Sequence, residues 1–217
     1  MTKFAALPAL LLLAACNSAQ TDVPPAPDTV SDATTIGAGQ KVALHLHAQA
    51  ETRSDDTLAT FTVTERIIGE GNTQAVTWSI HPASADLGDI ALADGDRLLT
   101  SRLLIPAEVA LDPTKHHTLA LAKINPERPH AYQRYLEAVQ PIVEKVGGRF
   151  VHLMLGPDLD TPEGGDAGAF PPERAIIVEW DTLEALPNLF RDPAYEAASP
   201  LLSTGVRGFE FYQLSMN

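Results

Sequence analysis

The sequence predicts an α+β fold: a small β-rich part followed by a part of order β-α-β-β-α-β. Three observations carry that prediction. Residues 41–81 hold runs that alternate apolar and polar, the period of a half-buried strand. Residues 130–148 instead place apolar side chains at helical spacing. On both sides of that helix the alternation returns in short strand-like segments.

In chain order, "KVALHLHA" (41–48) turns Val42, Leu44, Leu46 and Ala48 one way and Lys41, Ala43, His45 and His47 the other. Solvent-facing histidines are expected there, and no third metal ligand accompanies them. "ATFTVTERII" (59–68) and "QAVTWSIH" (74–81) flank the turn "GEGNT" and form a predicted hairpin. "RLLTSRLLI" (97–105) follows a second turn, "ADGD". "HTLALAKI" (117–124) opens the second part and "NPERP" breaks it. Tyr132, Tyr135, Leu136, Val139, Ile142, Val143 and Val146 then share one helix face. Pro141 interrupts that helix, and Gly147 and Gly148 stop it. "RFVHLML" (149–155) and "RAIIVEW" (174–180) are the next strands. Asp181 with Glu184 has capping-box spacing for a second helix. Asp192 followed by Pro193 marks another helix start, and "FEFYQL" (209–214) closes as a strand. The order in 116–217 is ferredoxin-like. Shifting the chain by 75 residues aligns Leu44 with Leu119 and Leu46 with Leu121. A full repeat at that offset would need 57–68 to be helical, which its Thr and Val content disfavours.

Of the 217 residues 45% are hydrophobic and 20% charged, a composition that supports a packed core. The net charge is −13, and −14 without residues 1–15. Nucleic acid is therefore excluded as a partner, because so acidic a surface gains nothing from counterion release. Cys16 is the only cysteine, so the chain has no internal disulfide and no CxxC metal or redox motif.

"MTKFAALPALLLLAAC" has one basic residue, a short apolar run and small residues before Cys16. The run is shorter than the ~20 residues of a membrane-crossing helix and suits a signal peptide. Leu13-Ala14-Ala15-Cys16 resembles the lipobox of bacterial lipoproteins. The resemblance implies cleavage before Cys16, acylation of that residue and anchoring to the cell envelope through several acyl chains. Asn17, where an aspartate would favour the inner membrane, points to the outer membrane of a Gram-negative cell, facing the periplasm. Residues 17–40 contain three prolines and no aromatic residue, and read as a tether. The expected organisation is a signal peptide over 1–15, lipidated Cys16 and a flexible linker to 40, a β-rich domain over 41–112, and a ferredoxin-like domain over 116–217.

Tyr135, Gly147-Gly148-Arg149, Pro172-x-Arg174, Glu179 and Asp192-Pro193-x-Tyr195 recur in the order and spacing of the domain of unknown function 1330 family, which residues 116–217 resemble. That family belongs to the dimeric α+β barrel superfamily. The resemblance implies a homodimer in which two such domains join their sheets, with a small-molecule site in the barrel. Its relatives include cofactor-free monooxygenases and isomerising enzymes. The chain departs from the family in its apolar second strand and in a longer loop over 156–173.

Strand parity groups Phe150, His152 and Met154, and separately Ala175, Ile177 and Glu179. With both sets facing one interior, His152 and Glu179 form a candidate proton-transfer pair. Tyr135, Phe150, Met154 and Tyr195 are the candidate ligand contacts. Asp158, Asp160, Glu163 and Asp166 lack the spacing of a calcium loop, so no metal or cofactor is expected. The leading expectation is a membrane-anchored periplasmic lipoprotein that binds a small molecule or a protein partner. The alternatives are a cofactor-independent enzyme acting on a small apolar substrate and an envelope scaffold docking through the β-rich part.

Overall fold

The computed structural model describes residues 34–36, 42–47, 57–69, 77–82, 97–100, 109–153 and 172–217. The signal-like run, Cys16, Met154 and the acidic residues 158–166 lie outside the described residues. The protein is α+β. Its strands are β1 (Thr34–Ile36), β2 (Val42–His47), β3 (Ala59–Ile68), β4 (Thr77–Pro82), β5 (Arg97–Thr100), β6 (Val109–Leu111) and β7 (His116–Ile124). Helix α1 (Pro129–Lys145) follows, then β8 (Gly148–Leu153), β9 (Arg174–Trp180), α2 (Ala185–Arg191), α3 (Pro193–Gly205) and β10 (Val206–Met216).

Eight strands form one sheet in the order β5-β2-β4-β3-β10-β7-β9-β8, with every neighbouring pair antiparallel. The second half, β10-β7-β9-β8, is the ferredoxin-like order expected from sequence. The first half, β5-β2-β4-β3, repeats that order: β2, β3, β4 and β5 stand as β7, β8, β9 and β10 do. The repeat lies in topology. An offset of 75 overlays β2 on β7, but it sends β3 onto α1, and residues 59–68 are a strand as their β-branched content dictates.

The expected boundary between residues 112 and 116 does not divide the sheet. β3 pairs with β10 from Ile68↔Phe211 to Phe61↔Met216, so the β-rich segment continues the C-terminal sheet. One face of this sheet carries a core shared by both halves: Leu44, Leu46, Phe61, Trp78 and Ile80 from the first, and Leu119, Leu121, Val151, Ile177 and Tyr212 from the second. The ring of Phe61 on β3 meets His117 on β7 at 5.3 Å, and Trp78 on β4 meets Tyr212 on β10 at 5.8 Å. In both contacts a strand lies between the partners, a separation of about 9–10 Å in a flat sheet. Side chains two strands apart thus reach one another over this face, as they do where a sheet curls toward it into a concave surface. The sheet joining that the resemblance assigns to two copies takes place inside one chain.

The other face of β7–β10 packs on the helices. Tyr132, Tyr135, Val139, Ile142 and Val143 of α1, the expected stripe, cover Ile176, Val178 and Trp180. Gly148 permits this close layer, since a Cβ there would sit 2.4 Å from Val143 Cγ1 and 2.8 Å from Trp180 Cζ3.

Three local expectations change. Thr34–Ile36, assigned to the tether, pairs with Val109–Leu111 as a two-stranded sheet. Asp181 does not cap a helix: α2 starts at Ala185 with Glu184 before it, and Asp181 accepts a 2.8 Å bond from Lys115 instead. Asp192 does cap α3, accepting from Ala194 N at 2.9 Å, with Pro193 in the first turn. His45, expected at solvent, is 3% exposed, on the polar side of β2 away from Leu44 and Leu46.

Candidate functional site

The two faces of the C-terminal half carry two different constellations. The first is an aromatic cavity of about 60 Å³ between the sheet and the helices. Tyr132 and Tyr135 of α1, Phe150 of β8, Tyr195 of α3, and Phe209 and Phe211 of β10 line it. Tyr132 and Tyr135 stack at 6.1 Å, as do Phe209 and Phe211 at 6.2 Å. Phe190 of α2 makes edge contacts with Tyr195 at 5.4 Å and Phe211 at 6.4 Å, and stays 38% exposed. It therefore forms the wall between cavity and solvent. Three of the four expected ligand contacts, Tyr135, Phe150 and Tyr195, meet in this space.

The polar groups of this cavity are chiefly tyrosine hydroxyls. Trp180 Nε1 also borders it but is committed to Thr118 Oγ1 at 2.9 Å. Burial raises the Tyr135 hydroxyl well above its ordinary value, and the adjacent Tyr195 hydroxyl raises it further. Burial also raises Tyr132 and Tyr195; Arg174 acts against this at Tyr132 and the Tyr135 hydroxyl at Tyr195. All three are neutral phenols near neutral pH. They present hydrogen-bonding groups without charge to whatever enters.

The second constellation sits on the concave face and is centred on Glu179, which is 4% exposed. Its Oε1 accepts from Asp112 N at 2.8 Å. Its Oε2 accepts from Arg149 Nε at 2.8 Å and also from Arg149 Nη2. Arg149 Nη2 donates to Ala110 O at 2.7 Å as well. The carboxylate thereby ties β6, β8 and β9 together. Burial pushes the Glu179 carboxyl up; contacts from His117, Asp112 N and Arg149 outweigh that and hold it below the ordinary value. With both oxygens engaged, Glu179 is a holding group.

The sequence pairs Glu179 with His152. The strand register separates them. Position 152 pairs with Ile176, and Glu179 pairs with Arg149. Paired residues share a face and successive ones alternate, so position 152 falls on the helix-covered face and Glu179 on the concave one. The histidine beside Glu179 is His117, fully buried, with Nε2 3.5 Å from Glu179 Oε1. Its signal in the sequence is parity: His117 shares a face with Leu119 and Leu121. Its pairing with Glu179 is a matter of register, β7 with β9 at His117↔Glu179. Among the described residues there is no group of three metal-ligating side chains, and no helix long and apolar enough to cross a membrane.

Residues 117–208 match the family described as Domain of unknown function (DUF1330). Comparison with curated proteins returned no match. Among solved structures, a protein of unknown function from Rhodopseudomonas palustris is 22% identical, with a TM-score of 0.38, over 46% of this chain and 81% of its own. An anthrone oxidase-like protein is 14% identical, with a TM-score of 0.46, over 83% of this chain and 94% of its own.

Proposed function

We propose that the protein binds a small, largely apolar molecule in the aromatic cavity of its helical half. The observation that carries this is the convergence of Tyr135, Phe150 and Tyr195 on one cavity whose tyrosines offer uncharged hydroxyls. At about 60 Å³ the cavity is smaller than the ~150 Å³ void known to take benzene. Entry of a ring therefore requires an outward swing of Phe190, the half-exposed wall. Titration with toluene, followed by calorimetry and by the tyrosine ring resonances, tests the proposal. Saturable binding is expected, at least tenfold weaker in Val139→Phe, whose larger side chain fills the space. Binding unchanged in a folded Val139→Phe protein, or no binding to the native chain, overturns it.

The same proposal includes an address. Cleavage before Cys16 and acylation of that residue anchor the folded part to the cell envelope, at the outer membrane facing the periplasm. The support is the basic-apolar-small order of residues 1–16. Cys16→Ser followed by cell fractionation tests it: the variant is expected in the soluble fraction, and retention in the membrane overturns the anchor. Homodimerisation is compatible with this architecture through surfaces outside the shared core. Leu183 and Phe190 are the exposed large apolar side chains among the described residues, at 54% and 38%. An enzyme acting on an apolar substrate is the second reading, favoured by the buried His117 beside Glu179.

A further inference from the structure

His117 is the anomaly of the concave face. It is fully buried; Nε2 has only the Glu179 carboxylate, at 3.5 Å, and Nδ1 has no hydrogen-bond partner among the described residues. Buried polar atoms left in that state destabilise a fold, so a histidine kept there points to a role beyond packing. Its surroundings define what the role can be. Leu214 stands opposite it on β10, Leu119 follows on its own face of β7, and the Phe61 ring meets it edge-on at 5.3 Å. On β9 stands Glu179, whose charge is held by Arg149. Asp112 and Lys115, in the turn before β7, and Asp181, which accepts from Lys115, are further charged groups near this end of the strand.

We infer that His117 is the proton-accepting residue of a second site, on the concave face, which takes an uncharged hydroxyl-bearing apolar molecule, and that Glu179 is its positioning residue. The Glu179 carboxylate accepts only, so it favours the tautomer of the neutral ring that carries hydrogen on Nε2. Nδ1 is then left with its lone pair. In proton transfer the O–H bond of the bound molecule breaks and its proton goes to Nδ1. The electron pair stays on the oxygen, and the imidazolium formed faces the carboxylate of Glu179. Phe61, Leu119 and Leu214 disfavour a ligand that arrives charged, because it would lose its hydration there. This site lies across the sheet from the aromatic cavity and stands or falls independently of it.

The test is long-range proton–nitrogen spectroscopy on the full chain with labelled histidine. His117 is assigned by its loss in His117→Gln and by its proximity to the Phe61 ring. The neutral ring is expected to show Nε2 in the N–H range and Nδ1 in the lone-pair range. Saturating phenol should move Nδ1 toward the N–H range, and benzene, which lacks the donor, should leave it in place. Glu179→Gln should remove the tautomer preference, a change that packing alone would not produce. A proton on Nδ1 in the native chain, or an Nδ1 that responds to phenol no more than to benzene, overturns the inference. Both results are read on the native chain, so they hold even where a variant fails to fold. Benzene reports on the other cavity through Tyr135 and Tyr195, so failure at one site is distinguishable from failure at the other.

Discussion

The two halves of the sheet share a strand order but treat their outer faces differently. In the C-terminal half, α1, α2 and α3 cover an apolar layer that includes Ile176, Val178 and Trp180. In the N-terminal half the face away from the shared core carries His45, Thr60, Thr77 and Ser79, all buried and all polar. His45, Ser79 and Thr60 stand in register across β2, β4 and β3. The inner faces are alike in both halves: large apolar side chains on a common concave surface. The contrast teaches that the inner face holds the fold together, while the outer face distinguishes the two halves: apolar beneath helices and beside the aromatic cavity in one, polar in the other.

The sharpest way to break that comparison is to injure the shared core from each side. Trp78→Ala and Ile177→Ala are each expected to lose about 2–5 kcal/mol, the range for large-to-small core changes. Both should shift one and the same transition in denaturant melts followed by circular dichroism. Two separate transitions, each sensitive to one substitution, would show that the halves fold apart.

Next in size is Glu179→Gln, which leaves Arg149 and Asp112 N with a neutral acceptor. Because Arg149 keeps more than half of its side chain in water, the expected loss is about 2–3 kcal/mol. The sign with pH follows from the lowered carboxyl. The unfolded chain takes up this proton first as pH falls. The contribution of Glu179 is therefore complete above the ordinary carboxylate range and is lost as pH drops through the folded value. In acid melts the native protein should lose more stability than Glu179→Gln over that window; parallel curves would remove Glu179 from the account.

Gly148→Ala tests the closeness of the helical layer. The added carbon meets Val143 and Trp180 well inside contact distance, so about 1–3 kcal/mol should be lost. An unchanged melting temperature would mean that α1 moves away freely. The smallest effect, and of opposite sign, is expected on the polar face. Thr60 Oγ1 is buried with no hydrogen-bond partner among the described residues. Thr60→Val should be neutral or stabilising by up to ~1 kcal/mol, because it removes a polar atom that has lost water without replacing it. A clear destabilisation would indicate that the hydroxyl is engaged after all.

Much of the fold was legible because it is written in short-range periodicity. The two-residue alternation marks β2 and β3, the helical stripe marks α1, and the Asp192-Pro193 pair marks the start of α3. Half of the candidate site was legible for the same reason. Tyr135 belongs to the predicted stripe, and Phe150 and Tyr195 accompany recognisable strand and helix starts. The Glu179 cluster was legible only as an acidic strand end. Its partner is chosen by which residue of β7 and of β8 stands opposite, and parity within one strand does not carry that information.

The sequence by itself determined the α+β class, the ferredoxin-like order of residues 116–217, the apolar stripe of α1 and the separation of Leu44 and Leu46 from His45. Each follows from side-chain direction along a single element. Only the tertiary structure decided that β3 pairs with β10 and so continues one sheet, that the first half repeats the strand order of the second, and that His117 stands beside Glu179 in place of His152. These depend on registers between strands far apart in the chain. A shift of one residue in any of them exchanges the two faces and with them the whole set of neighbours.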